Sequence, residues 1–152
     1  MPHYLDNFPI CSGTHIIELS SPEPKHYSSN EIDQRINQIA SGLRELVLPA
    51  NSPIAILDYC TFDYISTIVA IYRTRHTFVA INHKLPQERL DFCFADSAPK
   101  LVFCSQALRH LVPSGFKCIE FNSQEFVNFL GSEDFAPEPL DSELINNIMY
   151  TS

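Results

Sequence analysis

Apolar and polar positions along the chain alternate between two rhythms. Ile32, Ile36, Ile39, Leu43 and Leu46 follow one another at steps of four, three, four and three. That spacing places all five on one stripe of a helix, with Glu31, Gln34, Arg35, Gln38 and Arg44 turned mostly outward. Ser28 and Glu31 make a capping box at its start, and Pro49 and Pro53 bracket the loop after it. Ahead of it, residues 15–19 and 25–27 read as a small hairpin joined through Ser20-Ser21-Pro22-Glu23-Pro24.

From residue 54 the rhythm changes. Ile54-Ala55-Ile56-Leu57 is a continuous apolar run, as a strand covered on both faces requires. A helix follows with Phe62, Ile65, Ile68, Val69 and Tyr72 on one side, then a second strand at 77–81. Pro86 suits the first turn of a helix that stops before Pro99. A strand at 101–104, a short helix at 106–111, a strand at 117–121 and a helix capped by Ser123 complete the series. Apolar strands joined by helices predict a doubly wound, mostly parallel α/β sheet with flanking helices and a small amino-terminal hairpin. Residues 131–143 read as an exposed acidic connector, and 144–152 begin like a strand entering a core. A chain that stops on such a strand is expected to be a piece of a larger protein.

Composition narrows the chemistry. With 152 residues the chain is about one domain, long enough to fold without a metal or disulfide staple. Ten basic against eighteen acidic side chains disfavour nucleic acid and anionic membranes as partners. No segment is long and apolar enough to span a bilayer, and no signal peptide opens the chain. Cysteines at 11, 60, 93, 104 and 118 show no Cys-x-x-Cys spacing and read as buried free thiols of a cytoplasmic protein. Only four glycines occur, so a complete phosphate-cradling loop is not expected.

Candidate chemistry is sparse. Arg73, Arg75 and His76 cluster where the second long helix ends. They read as cations offsetting the helix dipole, with a phosphate or phosphopantetheine contact as the alternative. Asp58 ends the first central strand, as a loop carboxylate or as a side chain facing a ligand crevice. Cys104 ends the third, as a buried thiol or as a nucleophile at the sheet edge. No metal ligands recur at short spacing.

Order and spacing add a resemblance. Tyr27-Ser28-Ser29-Asn30-Glu31-Ile32 with Ile39-Ala40-Ser41-Gly42-Leu43 resembles the "T-Y-x-E-L … A-x-x-L" helix of the adenylate-forming (AMP-binding) enzymes. Pro53–Leu57 is similar to their "D-R-V-A-I-L" strand. Ala70–Arg73 with Phe78–Asn82 resembles "A-I-L-K-A-G-A-x-Y-V-P-L-N". Leu85–Leu90 and Asp96–Leu101 resemble "R-L-P-x-E-R-L-x-Y-I-L-x-D-S-x-A-K-x-L". Ile148-Met149-Tyr150-Thr151-Ser152 resembles the opening of the signature "Y-T-S-G-[ST]-T-G-x-P-K-G". Two positions depart: Arg75 stands where the family has Gly, and Ala80 where it has Pro. Arg75 must therefore take a strained conformation, or the turn must be built differently.

The resemblance implies that residues 1–152 are the amino-terminal subdomain, a fragment, of an ATP-dependent carboxylate-activating ligase of the acyl-CoA synthetase type. A fragment of a nonribosomal-peptide-synthetase adenylation domain and a non-catalytic stand-alone interaction module are the alternatives. It implies ATP and Mg²⁺ for the full-length parent, a small carboxylic acid as substrate, and coenzyme A or phosphopantetheine as acceptor. The remainder of its own chain becomes a partner. Only Thr151 and Ser152 fall on the phosphate-binding loop, and no catalytic residue lies within the chain, so the fragment alone is expected to be inactive.

Overall fold

The computed structural model describes residues 13, 15–19, 22–137 and 147–150. Strands β1 (Ile16–Glu18) and β2 (Lys25–Tyr27) form the antiparallel hairpin. Helix α1 (Ser29–Glu45) starts at the capping box: Ser28 Oγ accepts from the Glu31 amide, and the Glu31 carboxylate accepts from the Ser28 amide at 2.8 Å. Then come β3 (Pro53–Leu57), α2 (Phe62–Arg73), β4 (Thr77–Ala80), α3 (Gln87–Ser97) and β5 (Leu101–Cys104). A 3₁₀ helix (Gln106–Leu111), β6 (Cys118–Glu120), α4 (Gln124–Phe129) and β7 (Asn147–Met149) finish the series. Thr61 and Ser123 cap α2 and α4 by accepting from the amides of Tyr64 and Phe126.

β3 to β7 make one parallel sheet in the order β6-β5-β3-β4-β7. The segment expected to enter a core pairs beside β4 as an edge strand instead. Ile148 is partly buried, while Asn147 and Met149 are exposed, and residues 144–146 lie outside the described residues. Alternation along the strands divides the core. Ile54, Ile56, Phe78, Leu101 and Phe103 pack with α1, α2 and α4, whereas Ala55, Leu57, Val79, Val102 and Cys104 pack with α3 and the 3₁₀ helix. The doubly wound architecture is thus the observed one. No described helix is long and apolar enough to cross a membrane.

Two helix faces differ from expectation. In α2 the buried line is Phe62, Ser66, Thr67, Ala70 and Ile71, while Ile65, Ile68, Val69 and Tyr72 are only half-buried. Between Phe62 and Ile71 that line is made of small side chains, and the larger ones flank it. In α1, Arg35 is not simply turned outward. Its guanidinium pairs with Asp63 at 3.1 Å and lies over the rings of Phe62 and Phe126, tying α1 to α2 and α4.

The few glycines are divided between close approaches and turns. A Cβ on Gly42 would collide with the Phe129 carbonyl oxygen, so α1 meets the end of α4 at backbone distance. The left-handed turns use other residues: Val47 (φ 49), Asn51 (φ 60), Arg75 (φ 60), Ala98 (φ 42) and Asn122 (φ 61). Arg75 takes the strained alternative. The His76 amide bonds the Ile71 carbonyl and the Arg75 amide bonds the Tyr72 carbonyl, a Schellman ending whose left-handed position usually holds glycine.

His76 itself is 7% exposed, and burial alone pushes its imidazole below the ordinary histidine range. Its Nδ1 has no hydrogen-bond partner among the described residues.

Three outcomes follow from these contacts. Val47 is 85% exposed and loses no packing on truncation, so Val47→Gly should add roughly 0.5–1 kcal/mol and raise Tm by about 2–4 °C. Gly42→Ala should remove about 1–3 kcal/mol, because a backbone carbonyl is in the way. For His76 the unfolded chain binds the proton more readily than the native one, so stability falls as pH drops through the unfolded histidine pKa. Denaturant melts between about pH 7.5 and 5.5 should show that fall, with a shallower slope in His76→Gln.

Candidate active-site cleft

In a parallel sheet all strand carboxyl ends emerge at one edge. Where adjacent connections leave toward opposite faces, a crevice opens. Here the β3 connection leads to α2 on one face, and the β4 connection leads to α3 on the other. Beyond these two strand ends lies a cleft of about 550 Å³, lined by Asp58, Tyr64, Asn82, His83, Lys84 and Tyr150 among others.

Asp58 forms its floor and is 9% exposed. Burial pushes its carboxyl above the usual carboxylate range, and neighbouring Ser105, the Tyr59 backbone and His83 offset this only in part. Neither Asp58 Oδ1 nor Ser105 Oγ has a hydrogen-bond partner among the described residues, so Ser105 stands beside the carboxylate without bonding that oxygen. Of the two readings of Asp58, the structure supports the side chain facing a crevice.

His83 and Lys84 were not singled out by sequence reasoning. Both lie in the connection after β4, with two residues intervening, so the rule that points to Asp58 also leads to them. The Lys84 amide donates to Asn82 Oδ1 at 2.9 Å, and the rings of Tyr59 and His83 meet edge-on at 4.8 Å across the cleft mouth. Tyr150 closes the far side. Its hydroxyl lies 2.8 Å from Asp96 Oδ2 and 3.2 Å from the Cys93 carbonyl, and its ring meets Phe92 edge-on. Burial and then the Asp96 carboxylate push the phenol's pKa up. The end of β7 is thereby fastened to α3. Thr151 and Ser152, the expected phosphate-loop residues, follow Tyr150 and lie outside the described residues.

Arg73, Arg75 and His76 sit at the opposite, amino edge of the sheet, where β4 begins. Arg73 donates to Asn37 at 2.6 Å and pairs with Asp33 at 2.9 Å, joining α2 to α1. Its charge is used within the fold, and the phosphate-contact reading is not supported. Cys104 is fully buried. A thiol contact with Cys118, and then burial, pushes its pKa far up, so the free thiol stays protonated and does not serve as a sheet-edge nucleophile toward a substrate. The expectation of buried thiols fails at Cys60, which is exposed, and at Cys118, which is partly so. All four described cysteines are free. The described residues bring together no group of three His, Cys, Asp or Glu side chains able to hold a metal ion, so they build no cage for Mg²⁺.

Comparison with known proteins agrees with this geometry. The chain is 26% identical over 131 residues to surfactin synthase subunit 1 of Bacillus subtilis, which covers 86% of the chain and 4% of that protein. It is 30% identical over 122 residues to bacitracin synthase 1 of Bacillus licheniformis, covering 80% of the chain and 2% of that protein. ATP-bound MatB from Rhodopseudomonas palustris superposes with a TM-score of 0.82 at 19% identity, covering the whole chain and 33% of MatB. The chain thus spans only a small share of its relatives, and they include both peptide-synthetase adenylation domains and acyl-CoA synthetases. The model of the AMP-binding enzyme family matches residues 12–152, and the chain belongs to that family as an amino-terminal part of an adenylate-forming enzyme.

Proposed function

We propose that the chain is the scaffold half of a carboxylate-activating site and that it does not catalyse alone. The observation that carries this reading is the position of Tyr150. It brings the end of β7 to the same sheet edge as Asp58, His83 and Lys84. In the complete enzyme a carboxylate oxygen attacks the α-phosphorus of ATP, pyrophosphate leaves, and the acyl-adenylate passes its acyl group to a thiol.

Charge accumulates on phosphate oxygens in that reaction, so it needs donors fixed in advance. Within this chain Thr151 and Ser152 begin the phosphate loop, and Lys84 adds a cation at the cleft. Mg²⁺, when bound, neutralises phosphate charge, and its ligands belong to the rest of the enzyme. Asp58, His83 and Tyr150 shape and orient the wall rather than transfer protons.

The acyl-CoA synthetase reading is supported by the likeness to a Mycobacterium tuberculosis fatty acyl CoA synthetase, which covers 84% of the chain. A second reading, with carrier-bound phosphopantetheine as acceptor, is favoured by the sequence relatives, which include a siderophore peptide synthetase. Carboxylate-dependent ATP–pyrophosphate exchange by the full-length protein, screened over fatty, other carboxylic and amino acids, separates them. Amino-acid dependence selects the second reading, and no exchange with any acid overturns the ligase assignment.

The isolated chain should bind ATP no more tightly than about millimolar, which corresponds to roughly 4 kcal/mol. Two charge-assisted hydrogen bonds contribute roughly 1.5–3 kcal/mol each, and association costs roughly 4 kcal/mol or more. Titration calorimetry on the 152-residue chain checks this, and micromolar affinity would refute the scaffold role.

A further inference from the structure

The ligase reading does not use the sulfur pair at the other end of the sheet. Cys104 Sγ and Cys118 Sγ lie 3.2 Å apart, on adjacent strands and the same face. In the β5–β6 register Cys118 stands opposite Val102, and Cys104 is two residues further along, so the thiols meet on the diagonal. We propose that Cys104 and Cys118 are a reactive dithiol that closes reversibly into a disulfide when the protein meets a disulfide oxidant of the glutathione type.

The two thiols are unequal. Cys118 is partly exposed, whereas Cys104 is completely buried. The Cys104 and Cys118 thiols contact each other, with either sulfur able to donate, and Arg109, 3.8 Å from Glu120, adds positive charge nearby. These two effects hold the Cys118 thiol below its ordinary range despite burial, and they leave Cys104 protonated. Thiolate character and access both select Cys118 as the attacking sulfur.

The chemistry balances in two exchanges. The Cys118 thiolate attacks one sulfur of glutathione disulfide, and the S–S bond breaks to release one glutathione thiolate. The bond from Cys118 to glutathione is now the only electrophilic sulfur nearby. Cys104 passes its proton to the glutathione thiolate released in the first exchange, attacks Cys118 Sγ, and expels the second glutathione. That glutathione takes up the proton that Cys118 had lost to solvent. The protein loses two hydrogens and two electrons, and one glutathione disulfide becomes two thiols. To bond, the sulfurs must approach by roughly 1.2 Å, from 3.2 Å to about 2.0 Å. β6 is three residues long and lies at the edge of the described sheet, with Ile119 and Phe121 anchored in the core, so the approach falls mainly to the side-chain rotations of the two cysteines.

The bond would close a loop through the 3₁₀ helix and fasten β6 beside Ser105, next to Asp58.

The test uses the whole 152-residue chain, titrated with glutathione disulfide and mapped by mass spectrometry after alkylation. A Cys104–Cys118 linked peptide should form, Tm should rise by roughly 5 °C or more, and dithiothreitol should reverse both. In Cys104→Ser, a mixed glutathione disulfide should persist on Cys118. In Cys118→Ser, Cys104 should stay unmodified. Wild-type protein that keeps both thiols alkylatable in excess oxidant overturns the proposal. So does a lasting glutathione adduct on Cys118, or a bond from either residue to another cysteine. None of these outcomes bears on ATP binding or pyrophosphate exchange, so the two readings fail separately.

Discussion

Strand β3 is the constraint on which the architecture depends. It is central in a parallel sheet, and Ile54, Ala55, Ile56 and Leu57 are all completely buried. A parallel strand with both faces apolar cannot leave either face to water, so helices must cover both sides. Parallel neighbours also require crossover connections, which supply those helices. Burial of β3 therefore entails connections that leave β3 and β4 toward opposite faces. That divergence is what opens the cleft at Asp58. The site is a consequence of how the core is covered rather than a feature added to it.

Most of this was legible in the sequence. The capping box at Ser28 and the stripe from Ile32 to Leu43 depend on local chemistry, and the structure reproduces them. Each short apolar run became a strand, because four or five consecutive apolar residues between polar turns have few other ways to be buried. The α2 face was misread for a physical reason. Periodicity weights large apolar residues, but between Phe62 and Ile71 the buried line is made of the small Ser66, Thr67 and Ala70. The cleft was half legible. Asp58 follows from the rule about strand ends, as do His83 and Lys84 once the rule is applied to every strand. The Cys104–Cys118 pair was not, since 14 residues of separation reveal nothing about strands that happen to be neighbours.

The shortage of glycine likewise has a structural reading. A left-handed residue costs an L side chain about 1–2 kcal/mol, and five non-glycine residues bear that cost here. Asn51 and Asn122 bear it most easily, because a short polar side chain bonds locally. At Arg75 the Schellman hydrogen bonds hold the strained residue, and the Asn51 amide donates to the Arg75 carbonyl. The departure from the family pattern at Arg75 therefore alters the cost of the turn and leaves its geometry intact.

The two edges of the sheet carry different work. At the amino edge, helix carboxyl ends gather, and a negative partial charge accumulates there. Arg73 and Arg75 lie where that charge is greatest, and Arg73 is further engaged by Asp33 and Asn37. Cations so placed stabilise the fold and are unavailable to an anionic ligand. At the carboxyl edge the helix amino ends begin, and their unsatisfied amides attract negative charge. The side chains there are few, and Asp58 is an acidic exception with an unpartnered oxygen. An anion such as a triphosphate would be repelled by Asp58 if seated directly on it. An anionic group is therefore better accommodated away from β3, toward the end of β7. Asp58, whose carboxyl burial holds above the usual range, then suits the part of a bound ligand that can donate a hydrogen bond to its oxygen.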